Sequence, residues 1–471
     1  MPVRIRRARA SFESHASNGD ARPDNRLAFV DHGMFAQHHA IGRNLVVQVV
    51  WIYEHAIDLD GLRRFNHNLG YRLLGRRIER SPLPFARNRW VLDRGPADID
   101  IAECARPRAE LSDWADERSE LPIDPEWGPG WHFGVLPLTD GSTAVSLEHS
   151  HYVLDGLGLA VTLADAHVGN TRDLGYPPPR SRTRRRAVVQ DARQTARDAP
   201  DVARALVAVA KLARTQARSR QDSAQSPTPR PVAPRGGDGD DTVVMPTIAI
   251  HVDLDHWDGR AKALGGTTNT LVAAFVAKLG ERMGRRRARD GAVVLQLPIS
   301  DRAEGDTRAN AMSFANVNVD PTRVTTDLRD TRAAIKQALR TLRETPDDSL
   351  QFLWLASFMP KRAWRRMNDA MPADPDVPVF CSNMGDFGPL VCLVDGSRGE
   401  MVLTRVVAQR ESRQWLERIG GQMTVQSWRC GGNIIHTTVS AYQPGAENTK
   451  PALRELAAHT LAEFELTGEI D

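Results

Sequence analysis

The spacing of apolar and polar positions assigns most of the chain. Residues 44–53 read Asn-Leu-Val-Val-Gln-Val-Val-Trp-Ile-Tyr. This nearly unbroken β-branched and aromatic run predicts a buried strand. Residues 58–65 open a helix, with Asp58 or Asp60 as its N-cap. Residues 131–137 and 143–148 predict two strands joined by a Thr-Asp-Gly-Ser turn at 139–142. The second strand runs straight into Glu-His-Ser-His at 148–151, and a helix is expected over 156–165.

A break follows at the Tyr-Pro-Pro-Pro of 176–179. Residues 180–220 are rich in arginine, with a helical middle over 202–212, and residues 221–241 are low-complexity Ser, Pro, Gly and Asp. Strand patterning resumes at 247–253. It recurs at 292–298, 377–383, 401–407 and 434–442, with helices expected over 271–283, 327–344 and 451–464. The expected organisation is a polar, disordered tail over 1–26, a first half over 27–179, an arginine-rich helix and flexible linker over 180–242, and a second half over 243–471. Each half mixes strands and helices, so the fold class is α/β in the broad α+β sense.

Composition narrows the function classes. With 41% hydrophobic and 26% charged residues, the chain can bury a substantial core. The 62 basic and 59 acidic residues nearly cancel, which gives no reason to expect nucleic acid as a partner. All but six of those basic residues are arginine, so arginine-rich stretches carry little functional information. The four cysteines are scattered and form no Cys-x-x-Cys pair, as expected in a reducing cytoplasm. No apolar run follows the charged start, and none approaches the ~20 residues a membrane span needs. The stripe of Leu206, Val209, Ala210 and Ala213 reads first as a packing face; with its flanking arginines it is also compatible with shallow association with anionic lipid at the inner membrane face.

The chemistry concentrates at His151. An imidazole takes a proton from an alcohol or amine near neutral pH because its pKa lies there. A strand that ends on a histidine before a turn projects the ring off the sheet. Asp155, four residues on, is placed to lock that turn through a distant arginine, with Arg302 as the expected partner. Gly156 lets the chain swing into the next helix. His149 is expected to line the same face. With His151 it lacks a third ligand, so no metal is expected. Cys381 has no base to activate it. His38 and His39 read as surface residues.

The His-x-x-x-Asp-Gly layout of His151, Asp155 and Gly156 resembles the signature of the chloramphenicol acetyltransferase and condensation-domain superfamily of CoA-dependent acyltransferases. The usual preceding histidine is replaced by Ser150. Further blocks resemble the wax ester synthase/diacylglycerol acyltransferases. They are Pro-Ile-Asp-Pro-Glu-Trp at 122–127, Gly-Thr-Thr-Asn at 266–269, Pro-Ile-Ser-Asp-Arg ending at Arg302, Asn310, and Ser382-Asn383-Met384-Gly385. Thr270 and Ala309 depart from that pattern, and the proline usual before the glycine is missing at Gly385.

The resemblance implies two chloramphenicol-acetyltransferase-like halves in a V-shaped pseudo-dimer around a central channel. It implies His151 as general base and Asp155, Gly156 and Arg302 as structural. His149, Ser150, Asn269, Ser382 and Asn383 become channel or oxyanion-stabilising candidates. The donor would be acyl-CoA or an acyl carrier protein thioester, the acceptor an alcohol, and no cofactor would be needed. A condensation-like enzyme acting on a carrier-bound intermediate and a non-catalytic acyl-binding homologue stay open beside that reading.

Overall fold

A computed structural model describes residues 24–96, 98–223, 241–344, 359–369 and 376–471. Most of the expected tail and most of the low-complexity linker lie outside the described residues.

The first half begins with α1 (Phe29–Ile41) and β1 (Asn44–Tyr53), followed by α2 (Leu59–Leu69). Next come β2 (Arg76–Glu79), β3 (Arg89–Leu92), β4 (Asp100–Ile101) and α3 (Leu111–Ser119). Strands β5 (Trp131–Pro137) and β6 (Thr143–Ser150) lead into α4 (Gly156–His167). Helix α5 (Arg184–Ser223) then runs for 40 residues and continues through Pro200, longer than the patterning predicts.

The second half contains β7 (Thr247–Asp253), α6 (Leu254–Ala263), α7 (Thr268–Arg282), β8 (Val293–Ser300) and β9 (Met312–Val319). It continues with α8 (Arg329–Glu344), α9 (Lys361–Asp369), β10 (Val379–Asp386) and β11 (Met401–Gln409). Helix α10 (Arg413–Ile419), β12 (Gln422–Arg429), β13 (Ile434–Tyr442), α11 (Lys450–Glu463) and β14 (Glu469–Ile470) complete it.

Two mixed sheets organise these elements. The first has the order β11-β1-β6-β5-β4 and the second β14-β7-β13-β12-β10-β8-β9. Strand β1 is central and packed on both faces, which explains its continuous apolar sequence. Val47, Val49 and Trp51 point to one face, packed with residues of α2 and α4. Val50 and Ile52 point to the other, against α3. The second sheet packs its core against α7, whose Leu271 to Ala277 are all buried.

One strand crosses the expected division at the linker. Although β11 lies in the second half of the sequence, it pairs antiparallel with β1, from Asn44 opposite Gln409 to Ile52 opposite Met401. Around that exchange, Asn44 Nδ2 donates to Gln409 Oε1 at 2.7 Å and Trp51 Nε1 donates to the Val391 carbonyl at 2.8 Å. The two halves are therefore joined by a shared ladder as well as by side-chain contact.

Candidate functional site

Strand β6 is hydrogen bonded on both sides, to β1 and to β5. Its ladder extends one residue beyond the strand, where the His151 N–H donates to the Leu45 carbonyl at 2.9 Å. The chain then turns. The Val153 N–H donates to the Ser150 carbonyl at 3.0 Å, and the Tyr152 N–H to Ser150 Oγ at 3.3 Å. The Tyr152 hydroxyl donates to the Arg43 carbonyl at 2.9 Å, anchoring the turn to the start of β1. His151 is half-buried, and its Nδ1 is sealed from solvent without a hydrogen-bond partner.

Asp155 ends the turn and caps α4. Its Oδ1 accepts from the Gly158 N–H at 2.8 Å, the ordinary N-cap contact. Its Oδ2 accepts from the Ala311 N–H at 2.9 Å and faces Arg302 Nη2 at 2.8 Å. The side chains of Arg302 and Asp155 are only 5% and 4% exposed, so this is a buried ion pair. The same guanidinium donates to the carbonyls of Asp306, Arg308 and Ala309. These bonds fold the loop between β8 and β9 into a fixed shape.

That loop belongs to the second half and sits on the first. The Asp155 N–H donates to the Ala309 carbonyl at 2.9 Å, and Asn310 Nδ2 donates to the His151 carbonyl at 3.2 Å. Asp31 of α1 receives the Ala309 and Asn310 N–H groups, one on each carboxylate oxygen, both at 2.8 Å. Burial pushes the Asp31 carboxyl up to about 6, and those two amide donors hold it from going higher. Arg76, stacked on Trp90 at 3.9 Å, donates to the Thr307 and Val153 carbonyls.

Asp31, Arg76 and Gly158 were not singled out from the sequence. A Cβ on Gly158 would lie 2.5 Å from Leu154 Cδ1 and 3.1 Å from Arg302 Cζ, so the site leaves no room for one.

The remaining candidates divide into two groups. His149 and Ser150 are fully buried, contrary to the expectation that they line a channel. The cause is position: β6 lies between β1 and β5, and His149 stands opposite Val47 and Trp131. Its Nδ1 lies 3.1 Å from the Ser150 carbonyl, and burial pulls its pKa down to about 3. Ser150 serves the turn. Asn269 and Asn383 are brought together near the surface, with Asn383 Nδ2 donating to Asn269 Oδ1 at 3.0 Å. Asn383 Oδ1 accepts from the Gly385 N–H at 3.0 Å. The Asn383 amide group is thereby engaged on both sides, and Asn269 keeps its own amide N–H groups. Ser382 is half-buried on β10.

The neighbouring Met384 lies close to the start of α4. A Cβ on Gly156 would lie 3.2 Å from its sulfur. Between them lies a small pocket of about 20 Å³, walled by Leu159, Ala160, Leu163, Phe387 and Trp428. It is overwhelmingly apolar.

His38 and His39 are half-buried at the surface and both are hydrogen bonded. His39 Nε2 lies 2.8 Å from Glu126 Oε2, and His38 Nδ1 lies 2.6 Å from the Arg43 carbonyl. Burial pushes the Cys381 thiol up to about 12, leaving it inert as a nucleophile.

No known family profile and no curated protein matches the chain by sequence. Solved structures match it over nearly its whole length. The first condensation domain of the CDA synthetase superposes with a TM-score of 0.55 at 12% identity, covering 95% of this chain and 99% of that one. The chain has the condensation-domain fold. A wax ester synthase/diacylglycerol acyltransferase from Marinobacter aquaeolei VT8 shares it, with a TM-score of 0.50, 14% identity and coverage of 93% and 98%. So does polyketide synthase associated protein 5 from Mycobacterium tuberculosis, with a TM-score of 0.50, 14% identity and coverage of 94% and 98%. At such identities the likeness concerns the fold. Among the described residues no helix is long and apolar enough to cross a membrane.

Proposed function

We propose that the protein is an acyltransferase that moves an acyl group from a CoA or carrier-protein thioester to an alcohol, with His151 as general base. The supporting observation is the placement of a half-buried imidazole on a turn that both halves of the molecule fix. The turn is held by β1 through Leu45, by Asn310 through the His151 carbonyl, and by Arg302 through Asp155. Since Nδ1 is sealed, the proton from an acceptor hydroxyl goes to Nε2. As the O–H bond breaks, the oxygen attacks the thioester carbonyl and the carbonyl π electrons move to its oxygen. Collapse of this intermediate re-forms the carbonyl and expels the thiolate, which takes the proton back from the imidazolium. The amide N–H groups of Asn269 stand as candidates to stabilise the oxyanion.

The apolar side chains beside Gly156 favour an acyl group with a hydrocarbon body lying against them. Relatives in fold include a wax ester synthase and a condensation domain, so both ester formation and chemistry on a carrier-bound intermediate fit this frame. Any association with the inner membrane face would be peripheral. On α5, Leu206 and Val207 are exposed, while the side chains at 209, 210 and 213 lie outside the described residues.

The deciding experiment offers the purified protein a panel of acyl-CoAs and acyl carrier proteins with fatty alcohols and amines. Ester formation from acyl-CoA is the expected result. Activity with carrier-bound donors alone would favour the condensation reading. Tight acyl-CoA binding without turnover would make the protein a non-catalytic homologue.

A further inference from the structure

Two of the four cysteines meet beside the loop that carries the chain from β10 to β11. Cys392 ends the short 3₁₀ turn Pro389–Cys392 in that loop, and Cys430 follows directly on β12. Backbone contacts hold the two segments together. The Phe387 N–H donates to the Arg429 carbonyl at 2.9 Å, and the Gly431 N–H donates to Asp386 Oδ1 at 3.0 Å. Gly431 has a φ of +64°, and a Cβ there would lie 3.0 Å from Pro389, so the close approach depends on a glycine. Cys392 Sγ lies 3.9 Å from the Cys430 carbonyl, and the two thiols are hydrogen bonded to each other.

The surroundings distinguish the two sulfurs. Both cysteines line a pocket of about 50 Å³, together with Arg398, Asn433 and His436. A water needs roughly 10–15 Å³, so this polar space admits a small hydrophilic molecule. The bond from the Cys430 thiol, and after it the Arg398 guanidinium, hold Cys392 below the usual thiol range. The same bond, together with burial, pushes the Cys430 thiol up. A thiolate at Cys392 therefore has a protonated thiol beside it. Cys104 is exposed, Cys381 lies in the core of the second sheet, and neither lines this pocket.

We infer that Cys392 and Cys430 are a site of reversible oxidation, closed to a disulfide by hydrogen peroxide. The Cys392 sulfur attacks one peroxide oxygen. An S–O bond forms, the O–O bond breaks, and the departing hydroxide takes the thiol proton to become water. The Cys430 sulfur then attacks the Cys392 sulfur. The S–S bond forms as the S–O bond breaks, and the second hydroxide leaves as water with the Cys430 proton. The two thiols lose two electrons, and the peroxide is reduced to two waters. Disulfides in reducing compartments are mostly transient and redox-sensing. Val391 and Trp428 belong to the same two segments and wall the small pocket beside Gly156, so the link would tie two walls of that pocket together. The inference stands independently of the acyl-transfer reading, because the thiol chemistry makes no use of His151.

Peptide mass spectrometry of the full-length protein tests it. Dilute protein is treated with hydrogen peroxide until Cys104 is oxidised, then quenched in acid, unfolded, and its remaining thiols alkylated. A Cys392–Cys430 linked peptide is expected, lighter by two hydrogens than the sum of its parts, while Cys381 is alkylated in full. Dithiothreitol should restore both thiols. Cys430→Ser should stop the reaction at Cys392, read as gain of oxygen without a link. Cys392→Ser should leave Cys430 reduced. The inference is overturned if both thiols of the parent are still alkylated once Cys104 is oxidised, if Cys392 gains oxygen in the parent without linking to Cys430, or if Cys430 oxidises as readily in Cys392→Ser. The measurement on the parent needs no variant, so it decides should either substitution fail to fold.

Discussion

Asp155 and Arg302 meet Oδ2 to Nη2 at 2.8 Å across the junction of the two halves. The contact does more than neutralise two charges. Arg302 also organises the β8–β9 loop through three carbonyls, and Asp155 caps the helix that follows the histidine turn. Arg302→Ala leaves a buried carboxylate without its cation and frees those carbonyls. Breaking one side of a buried pair costs about 3–5 kcal/mol. Urea unfolding should show a loss of that order. Arg302→Lys should recover only part of it, since one ammonium cannot replace the planar fork. A double variant with Asp155→Asn should lose less than the sum of the singles.

The reach of sequence reasoning follows from how local each signal is. Strand β6, its turn and the helix after Gly156 were legible because alternation, the His-x-x-x-Asp-Gly spacing and the glycine act within a few residues. The two-half α/β architecture was legible from the order of elements. The placement of β11 was not, because a period-two pattern says that a segment is a strand but not which sheet it joins. Asp31 was hidden for a related reason. Its partners are the N–H groups of Ala309 and Asn310, and no spacing links α1 to that loop. His149 was assigned to a channel from strand alternation, and Ser150 from the family resemblance. Alternation gives the face of a residue but not whether other elements cover it.

Every hydrogen bond shown for His151 runs through its backbone: its N–H to Leu45, and its carbonyl from Asn310. Truncating the ring therefore removes none of the bonds that hold the turn. On the proposed mechanism, His151→Ala should lower acyl transfer by about 10²–10⁴, the usual contribution of a positioned base. Its melting temperature should stay close to that of the parent. A variant retaining full transfer would exclude His151 as the base.

Acid should destabilise the fold, and the sign follows from the buried histidines. Burial pulls His149 and His436 down to about 3 and His32 to about 4. An unfolded histidine titrates near 6.5, so below that pH the unfolded chain binds more protons. The stability these three contribute is full above about pH 6.5 and is lost as pH falls toward 4 and then 3. Asp31 acts in the opposite direction. With a folded value of about 6, its contribution is present below the usual carboxylate range and lost as pH rises through 6. Three groups outweigh one, so the urea midpoint should be lower at about pH 5 than at about pH 7. His149→Gln should flatten that dependence, because the amide takes no charge. A midpoint that rose on acidification would contradict this assignment.

The pocket beside Gly156 gives a last prediction, on acyl selectivity. Ala160 lines it on α4 and is 7% exposed, opposite the side that carries Met384 and Phe387. Ala160→Phe would place a ring in this small apolar space and at its mouth. Overpacking of this kind costs about 1–3 kcal/mol of stability. If the acyl chain occupies the pocket, the functional effect should depend on chain length. Transfer from a long-chain acyl-CoA should fall by roughly tenfold to a hundredfold, while transfer from acetyl-CoA should change little. Comparing kcat/KM for the two donors separates this from a general loss of activity. Equal losses for both would mean that the chain lies elsewhere.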